Sequence, residues 1–381
     1  MKKQPAGIYI HVPFCVRKCR YCDFYSTTDL SRRRAFVDAL IHEIEIAPDP
    51  GPADSLYLGG GTPSVLDPSQ IARIIAAVRA RFVLRPDSEI TLEANPGTAD
   101  EKTLSDFKAA GVNRLNLGLQ SFDDNNLTFL GRIHTARECV RVIEAARVAG
   151  FDNLGLDLIY GLPGQTSQNL LRDLEQAAAF HPEHLSCYLL TYEKGTALEK
   201  DRVAGAVLPL PESRAADLFT LTRERLGQLG YEQYEISNFA RSQAYRSRHN
   251  RKYWNFAPYI GLGPAAHSFM SPERYWNHRG LDKYLADLDR GRLPVAARET
   301  LDKSQQMIEA LYLGLRQTRG IPVLDFKARF AVEFETLFQP VLTDPGLREL
   351  IEIREGFCRL TPEGMLVMDS IVARLVELIE V

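Results

Sequence analysis

Three cysteines constrain this chain more than any other feature. Cys15, Cys19 and Cys22 form C-x3-C-x2-C within YIHVPFCVRKCRYCDF, directly after a short apolar run, Gly7–Val12, that reads as a first strand. Three thiolates on one loop can hold three corners of a [4Fe–4S] cube and leave the fourth iron without a protein ligand. Soft sulfur donors suit iron–sulfur clusters or zinc better than oxygen-loving cations. A closed zinc site needs a fourth ligand, and no second C-x2-C pair exists to give one. His11 stands nearby, where strand alternation is the plainer explanation.

Beyond the loop, strand-like runs at Ser55–Leu58, Glu89–Glu93, Arg114–Gly118, Leu154–Tyr160 and His184–Leu190 alternate with helical patterns at Ser31–Ile46, Pro68–Phe82, Asp100–Ala110, Thr135–Ala149 and Ser167–Ala179. Asp100 and Ser167 suit N-caps, and Gly111 and Gly150 fall where helices should stop. The repetition predicts an α/β fold with a parallel sheet and crossover helices. Six units make a partial (β/α)6 barrel, TIM-like but open on one side, with its site at the C-terminal strand ends. From about Lys303, helical patterns precede a strand pair around IEIREGFCRL and a last helix, Pro362–Glu380. This predicts a small winged-helix-like module. The expected domains are residues 1–240 for the barrel, 241–300 for a connecting segment and 301–381 for the module.

Composition narrows the function classes. With 381 residues, 45% hydrophobic and 25% charged, the chain is an ordinary globular protein. A net charge of −3 gives no global pull toward nucleic acid or anionic lipid. Within 303–381, nine Lys/Arg face twelve Asp/Glu, against a DNA-reading module and toward a lid, dimerisation or docking role. MKKQPAG lacks the apolar core of a signal peptide, and no run reaches transmembrane length. Cys139, Cys187 and Cys358 are scattered, as buried small hydrophobes would be. A cytoplasmic location is therefore expected.

Gly59–Gly60–Gly61–Thr62–Pro63 follows the second strand, where glycines allow close backbone approach and their N–H groups can bond a ligand. C-x3-C-x2-C after a first strand, followed by GGGTP, resembles the radical S-adenosylmethionine (SAM) superfamily. The resemblance implies that the open iron chelates SAM, and that the reduced cluster cleaves it to a 5′-deoxyadenosyl radical. It also implies SAM contacts for Gly60, Gly61, Thr62, Glu93 in ITLEANP, Gln120 in LNLGLQS, Arg132 in LGRIHT and Asp157 in LGLDLIYGLPGQT. Tyr9 matches a family tyrosine near the methionine moiety, although an inward strand aromatic explains it nearly as well. Acceptors suit ribose hydroxyls and the sulfonium surroundings, and an arginine can grip a carboxylate. Asp157 stands out in the sequence itself, because a carboxylate in an apolar strand is costly without a partner.

The segment RSQAYRSRHNRKYWNF, Arg241–Phe256, interleaves cations with aromatics. Composition alone reads as a surface loop, with a flat carboxylated ring or RNA as alternatives. HNRKYW resembles the H-N-x-x-Y-W motif of the heme chaperone HemW family, relatives of the oxygen-independent coproporphyrinogen III oxidases. That resemblance implies His249 as heme-iron ligand, with Asn250, Tyr253 and Trp254 shaping the pocket. His267 and His278 are competing ligands. Two departures separate the chain from the oxidases: Phe24 stands where their motif has a fourth cysteine, and only six residues precede Gly7. Both fit the chaperone branch rather than an enzyme. The implied cofactors are the cluster, SAM and heme. The implied partners are heme-accepting proteins, with a homodimer by resemblance only, a peripheral membrane contact left open and no nucleic acid. The rival readings are a coproporphyrinogen III dehydrogenase and, more weakly, an RNA-modifying radical enzyme.

Overall fold

Alternation within each strand decides this fold, because successive side chains point to opposite faces. On one face Ile8, Ile10, Leu56, Leu58, Leu92, Leu117 and Leu156 are fully buried in the main apolar core, under the crossover helices. On the other face lie Tyr9, Ser55, Tyr57, Thr91, Glu93, Asn116 and Asp157, lining the inside of the curved sheet. The computed structural model describes residues 4–379. Met1–Lys3 and Glu380–Val381, the ends of the expected first and last domains, lie outside the described residues.

β1 (Ala6–Val12), β2 (Ala53–Gly60), β3 (Leu84–Ala94), β4 (Arg114–Gln120), β5 (Leu154–Tyr160) and β6 (His184–Leu189) run parallel in chain order. This is the expected (β/α)6 partial barrel. The helix starts follow their caps: Asp100 accepts from the Thr103 N–H, and Thr135 forms a capping box with Glu138. One cap differs from expectation. Thr166, not Ser167, caps the helix Ser167–Ala179, because Asn169 three residues on completes its capping box.

The open edges are not left bare. β7 (Glu232–Gln233) and β8 (Asn238–Ala240) continue the sheet beyond β6 in the order β6-β8-β7. Beyond β1 come β9 (Tyr259–Leu262), parallel to it, then antiparallel β10 (His267–Met270), β11 (Glu273–Asn277) and β12 (Val295–Thr300). The strands of the expected connecting segment, 241–300, are part of one twelve-stranded sheet. A buried carboxyl clasps them to the helix Arg33–Ile46. Glu43 accepts from the Tyr284 hydroxyl (2.6 Å), Asn277 Nδ2 (2.6 Å) and the Gly263 N–H (2.8 Å). Burial raises its carboxyl to about 7 despite these donors.

The C-terminal module has the expected winged-helix-like build. Helix Lys303–Leu315 leads into β13 (Ile321–Pro322), which with β14 (Ile351–Arg354) and β15 (Phe357–Leu360) forms a sheet in the order β13-β15-β14. Phe326, Phe330, Phe334 and Phe338 pack edge-on and tilted against one another with ring centroids 4.6–6.0 Å apart. The expected single last helix divides into Pro362–Leu366 and Met368–Val376. Among the described residues no helix is long and apolar enough to cross a membrane.

Candidate cluster and cofactor site

The cysteine loop leaves β1 and is pinned at both neck and middle. At the neck, the Cys15 N–H donates to the Thr27 carbonyl and the Thr27 N–H to that of Pro13 (3.0 and 2.7 Å). At the middle, Arg20 Nη1 donates to the Phe129 carbonyl (2.9 Å) and Nη2 meets Asp201 (2.5 Å). Cys15, Cys19 and Cys22 all face one cavity of about 730 Å³ at the C-terminal ends of the parallel strands. Gly60, Gly61, Thr62, Glu93, Gln120, Arg132 and Asp157 line the same cavity. Tyr9 does not. It stands half-buried on the inward face of β1, its hydroxyl 3.2 Å from His11 Nδ1.

The glycine triplet has a steric reason that spacing alone did not give. A Cβ on Gly60, which sits at φ +105°, would stand 2.6 Å from the His11 ring. On Gly61 it would stand 2.6 Å from the Phe14 carbonyl oxygen. The loop is therefore pressed against the start of the cysteine loop. Its N–H groups are largely spent: Gly61 donates to Val12 and Thr62 to Phe14 (2.8 and 2.7 Å), while Gly60 donates to Glu93. The expectation that these N–H groups bind the ligand is corrected. Carbonyl oxygens remain, and they suit an ammonium.

Two carboxyls form the floor. Glu93 accepts from the Tyr57 hydroxyl (2.6 Å), and burial raises it to about 7, with Asp157 adding to the rise. Asp157 Oδ2 accepts from Asn116 Nδ2 (2.7 Å), while Oδ1 is buried without a hydrogen-bond partner in good geometry. Burial holds this carboxyl above the usual range, although Asn116 and Ser186 oppose the rise. An orphaned acceptor beside a second strained carboxyl suits a ligand bearing hydroxyls and positive charge. Gln120 adds a left-handed backbone, φ +76°, at the register break where β4 leaves β5. Such outliers persist where the surroundings impose them, often at binding sites.

Arg132 plays a different part from the one expected. Its Nη2 donates to Asn95 Oδ1 and the Gly118 carbonyl (both 2.6 Å), and Nη1 to Cys19 Sγ (3.3 Å). Asn95 Nδ2 in turn donates to Thr62 Oγ1 (2.9 Å), which lies 3.5 Å from Cys15 Sγ. A hydrogen-bonded arc thus joins two of the three thiols, the outer support that metal ligands ordinarily carry. Asn95 and Asn116 were not singled out from sequence. Their signal is alternation: 91 and 93 on β3 with 95 one step past its end, and 116, 118 and 120 on β4, share the inward face. Arg316, at the end of helix Lys303–Leu315, also reaches the cavity from the C-terminal module.

The residues fit a [4Fe–4S] cluster. All three thiols are free, and burial pushes that of Cys22 up to about 11, so loading releases its proton. Among the described residues no three His, Cys, Asp or Glu side chains converge on a single ion. Three free thiols facing one cavity are the donor set such a cluster takes.

The HNRKYW segment lies at the other end of the barrel. Helix Asn250–Trp254 plugs the N-terminal mouth, with the Arg248 and His249 N–H groups donating to the buried Glu89 carboxylate (3.0 and 3.3 Å). His249 is 1% exposed, and a Cβ on Gly7 would stand 3.0 Å from its ring. Its Nδ1 stands 3.1 Å from Ser55 Oγ and its Nε2 2.9 Å from the Tyr253 hydroxyl. Burial, then Lys252, lowers its pKa to about 3. Both ring nitrogens of the residue expected as heme-iron ligand are thus engaged inside the barrel. Trp254 packs on Tyr234 (5.7 Å), and the Asn250 N–H donates to Ser247 Oγ (3.2 Å). His267 stacks on Trp276, and His278 meets Asp287 (3.2 Å). Three of the segment's five cations pair with acids, Arg246 with Glu232, Arg248 with Asp87 and Lys252 with Asp54, which reduces the free basic face for RNA.

Sequence profiles agree with this geometry. That of the Radical SAM superfamily matches residues 9–177, and that of the HemN C-terminal domain matches 301–367. Fold and site together define a radical SAM protein. The chain is 34% identical over 383 residues to the heme chaperone HemW of Mycobacterium tuberculosis, covering 98% of this chain and 96% of the relative. It is 33% identical over 379 residues to that of Escherichia coli, with 97% and 98% covered. The chain belongs to the HemW family. Its fold is similar to that of the Escherichia coli coproporphyrinogen III oxidase HemN, at a TM-score of 0.83 over 98% of this chain and 90% of that one. At 23% identity this likeness concerns the fold alone.

Proposed function

We propose that this chain is a heme chaperone, which binds heme and passes it to acceptor hemoproteins in the cytoplasm, and which carries a SAM-coordinating [4Fe–4S] cluster. One observation supports this most: near-complete alignment with heme chaperones, on a chain whose cavity holds three free thiols above a carboxylate floor. Cys15, Cys19 and Cys22 hold the cluster, and Glu93, Gln120, Asp157 and the glycine loop's carbonyls hold SAM. When bound, the cluster supplies an electron to the coordinated sulfonium. The chain's own part is to orient both: Arg132 and Thr62 support two thiols, and Tyr57 fixes Glu93 through its hydroxyl. Dimerisation through the C-terminal module belongs to the same proposal.

An anaerobic heme titration of cluster-reconstituted protein tests this reading. Saturable one-to-one binding, followed by transfer to an apo-hemoprotein, is the expected result. Turnover of coproporphyrinogen to protoporphyrinogen in the presence of SAM and reductant would replace the chaperone with the dehydrogenase. Phe24, in place of the oxidases' fourth cysteine, supports the expectation of no turnover.

A further inference from the structure

With His249 enclosed, the cargo needs another place, and the exposed apolar side chains indicate one. Among the described residues, five of the fourteen exposed large apolar side chains edge a single opening, the mouth of the cluster cavity. They are Val16, Phe24, Ile133, Tyr188 and Leu189, each 40–65% exposed. They come from three separated stretches: the cysteine loop, the turn before Thr135, and the end of β6. The cavity is therefore two-storeyed, with polar groups on its floor and an apolar ring at its rim. Isolated exposed apolar residues need no explanation, but a ring of them around a pocket marks a binding surface.

The charges beside the ring narrow the ligand. Arg17 is exposed and makes no ion pair among the described residues, and Lys18 reaches only the Phe24 carbonyl (3.3 Å). Arg316 borders the cavity as well, already paired through Nη2 with the buried Glu235 (3.0 Å) and with only its Nε unpartnered, so Arg17 and Lys18 are the freer cations. Asp23, the acid in the loop, is drawn toward Arg279 (3.6 Å). Glu193 also lines the cavity, and the cations outnumber it. A flat apolar body with carboxylates at its edge matches this arrangement: rings on Phe24 and Tyr188, carboxylates toward Arg17, Lys18 or Arg316.

We infer that heme docks across the mouth of the cluster cavity, its macrocycle on Val16, Phe24, Ile133, Tyr188 and Leu189 and its propionates on the flanking cations. This rests on the heme-chaperone reading and adds the place. SAM on the floor and heme at the mouth then share one opening, so the cargo covers the cofactor.

The test is an anaerobic titration of the full-length, cluster-reconstituted protein with heme, read at the Soret band, beside a SAM titration of the same samples. Phe24→Ser combined with Leu189→Ser should weaken heme binding at least tenfold and leave SAM affinity within about twofold. Ile133→Ser, away from the cysteine loop, should act in the same direction by several-fold. Arg17→Glu should weaken heme further at low salt than at high salt. Iron-free protoporphyrin should compete, because the ring and its carboxylates are what the mouth recognises. Heme binding with no competition from the porphyrin would place the contact at iron and overturn the site. So would rim variants that bind heme as the unmutated protein does. If the unmutated protein itself shows no saturable heme binding, the chaperone reading falls and takes the site with it.

Discussion

The two ends of this barrel are alike in composition and differ in what their polar groups face. At the C-terminal end, Glu93, Asp157, Gln120 and three thiols surround open space, and one carboxylate oxygen has no partner. At the N-terminal end, His249, Tyr253, Ser55 and Glu89 also gather in the interior, but each is bonded to another. Unpaired buried polar groups carry a desolvation cost that a ligand can relieve, while paired ones have already recovered it. The difference teaches that a polar and aromatic motif identifies a site only where its members face open space rather than one another. Between the ends, the Tyr57 ring packs tilted against His249 at 5.2 Å and its hydroxyl donates to Glu93, so the plug supports the floor from beneath.

Loss of any one cluster cysteine should have the largest effect. Cys19→Ser is expected to abolish iron retention after anaerobic reconstitution and SAM binding with it, measured by iron content and equilibrium dialysis. Retention of a full cluster would break the assignment of the C-terminal end. His249→Ala should come next. It removes a buried ring and strands Ser55 and Tyr253, which costs about 3 kcal/mol of stability. Chemical denaturation should show that loss, together with weaker SAM binding through Tyr57 and with heme binding retained. Unchanged stability alongside lost heme binding would restore His249 as the ligand and dissolve the contrast between the ends.

Asp157→Asn should weaken SAM about tenfold, close to one charged hydrogen bond. The smallest effect concerns pH. Glu93 has a raised carboxyl in the ligand-free fold, so its neutral form is favoured there. Ligand-free stability should decline as pH climbs from the ordinary glutamate value to about 7, because the unfolded chain ionises first. A cationic ligand needs the ionised form, so SAM affinity should fall as pH drops below about 7, by at most about tenfold per unit. Glu93→Gln should flatten that profile. A profile unchanged by the substitution would remove Glu93 from the floor.

What could be read from sequence was local. The cysteine spacing, the glycine triplet and the βα alternation each sit within a few residues, and the structure keeps them. Asn95 and Asn116 were missed because inward-facing polar residues register only when neighbouring strands are aligned. The plug was misread because its partners Gly7, Asp54, Ser55 and Glu89 lie at least 159 positions away. Arg132 was given a ligand to hold because Cys19, Asn95 and the Gly118 carbonyl could not be placed beside it. Residues 241–300 read as a connector because short strands that complete an edge carry little periodicity of their own.

Those edge strands have a consequence for solubility. A half-closed barrel ends in two rows of unsatisfied N–H and C=O groups, each a template for another chain. Here β9 occupies the bare side of β1, and β12, carrying Arg298 and Glu299, ends the row with charge. A chain cut after Ala240 would present β1 to its own copies and pass into insoluble material, however intact its cysteine loop.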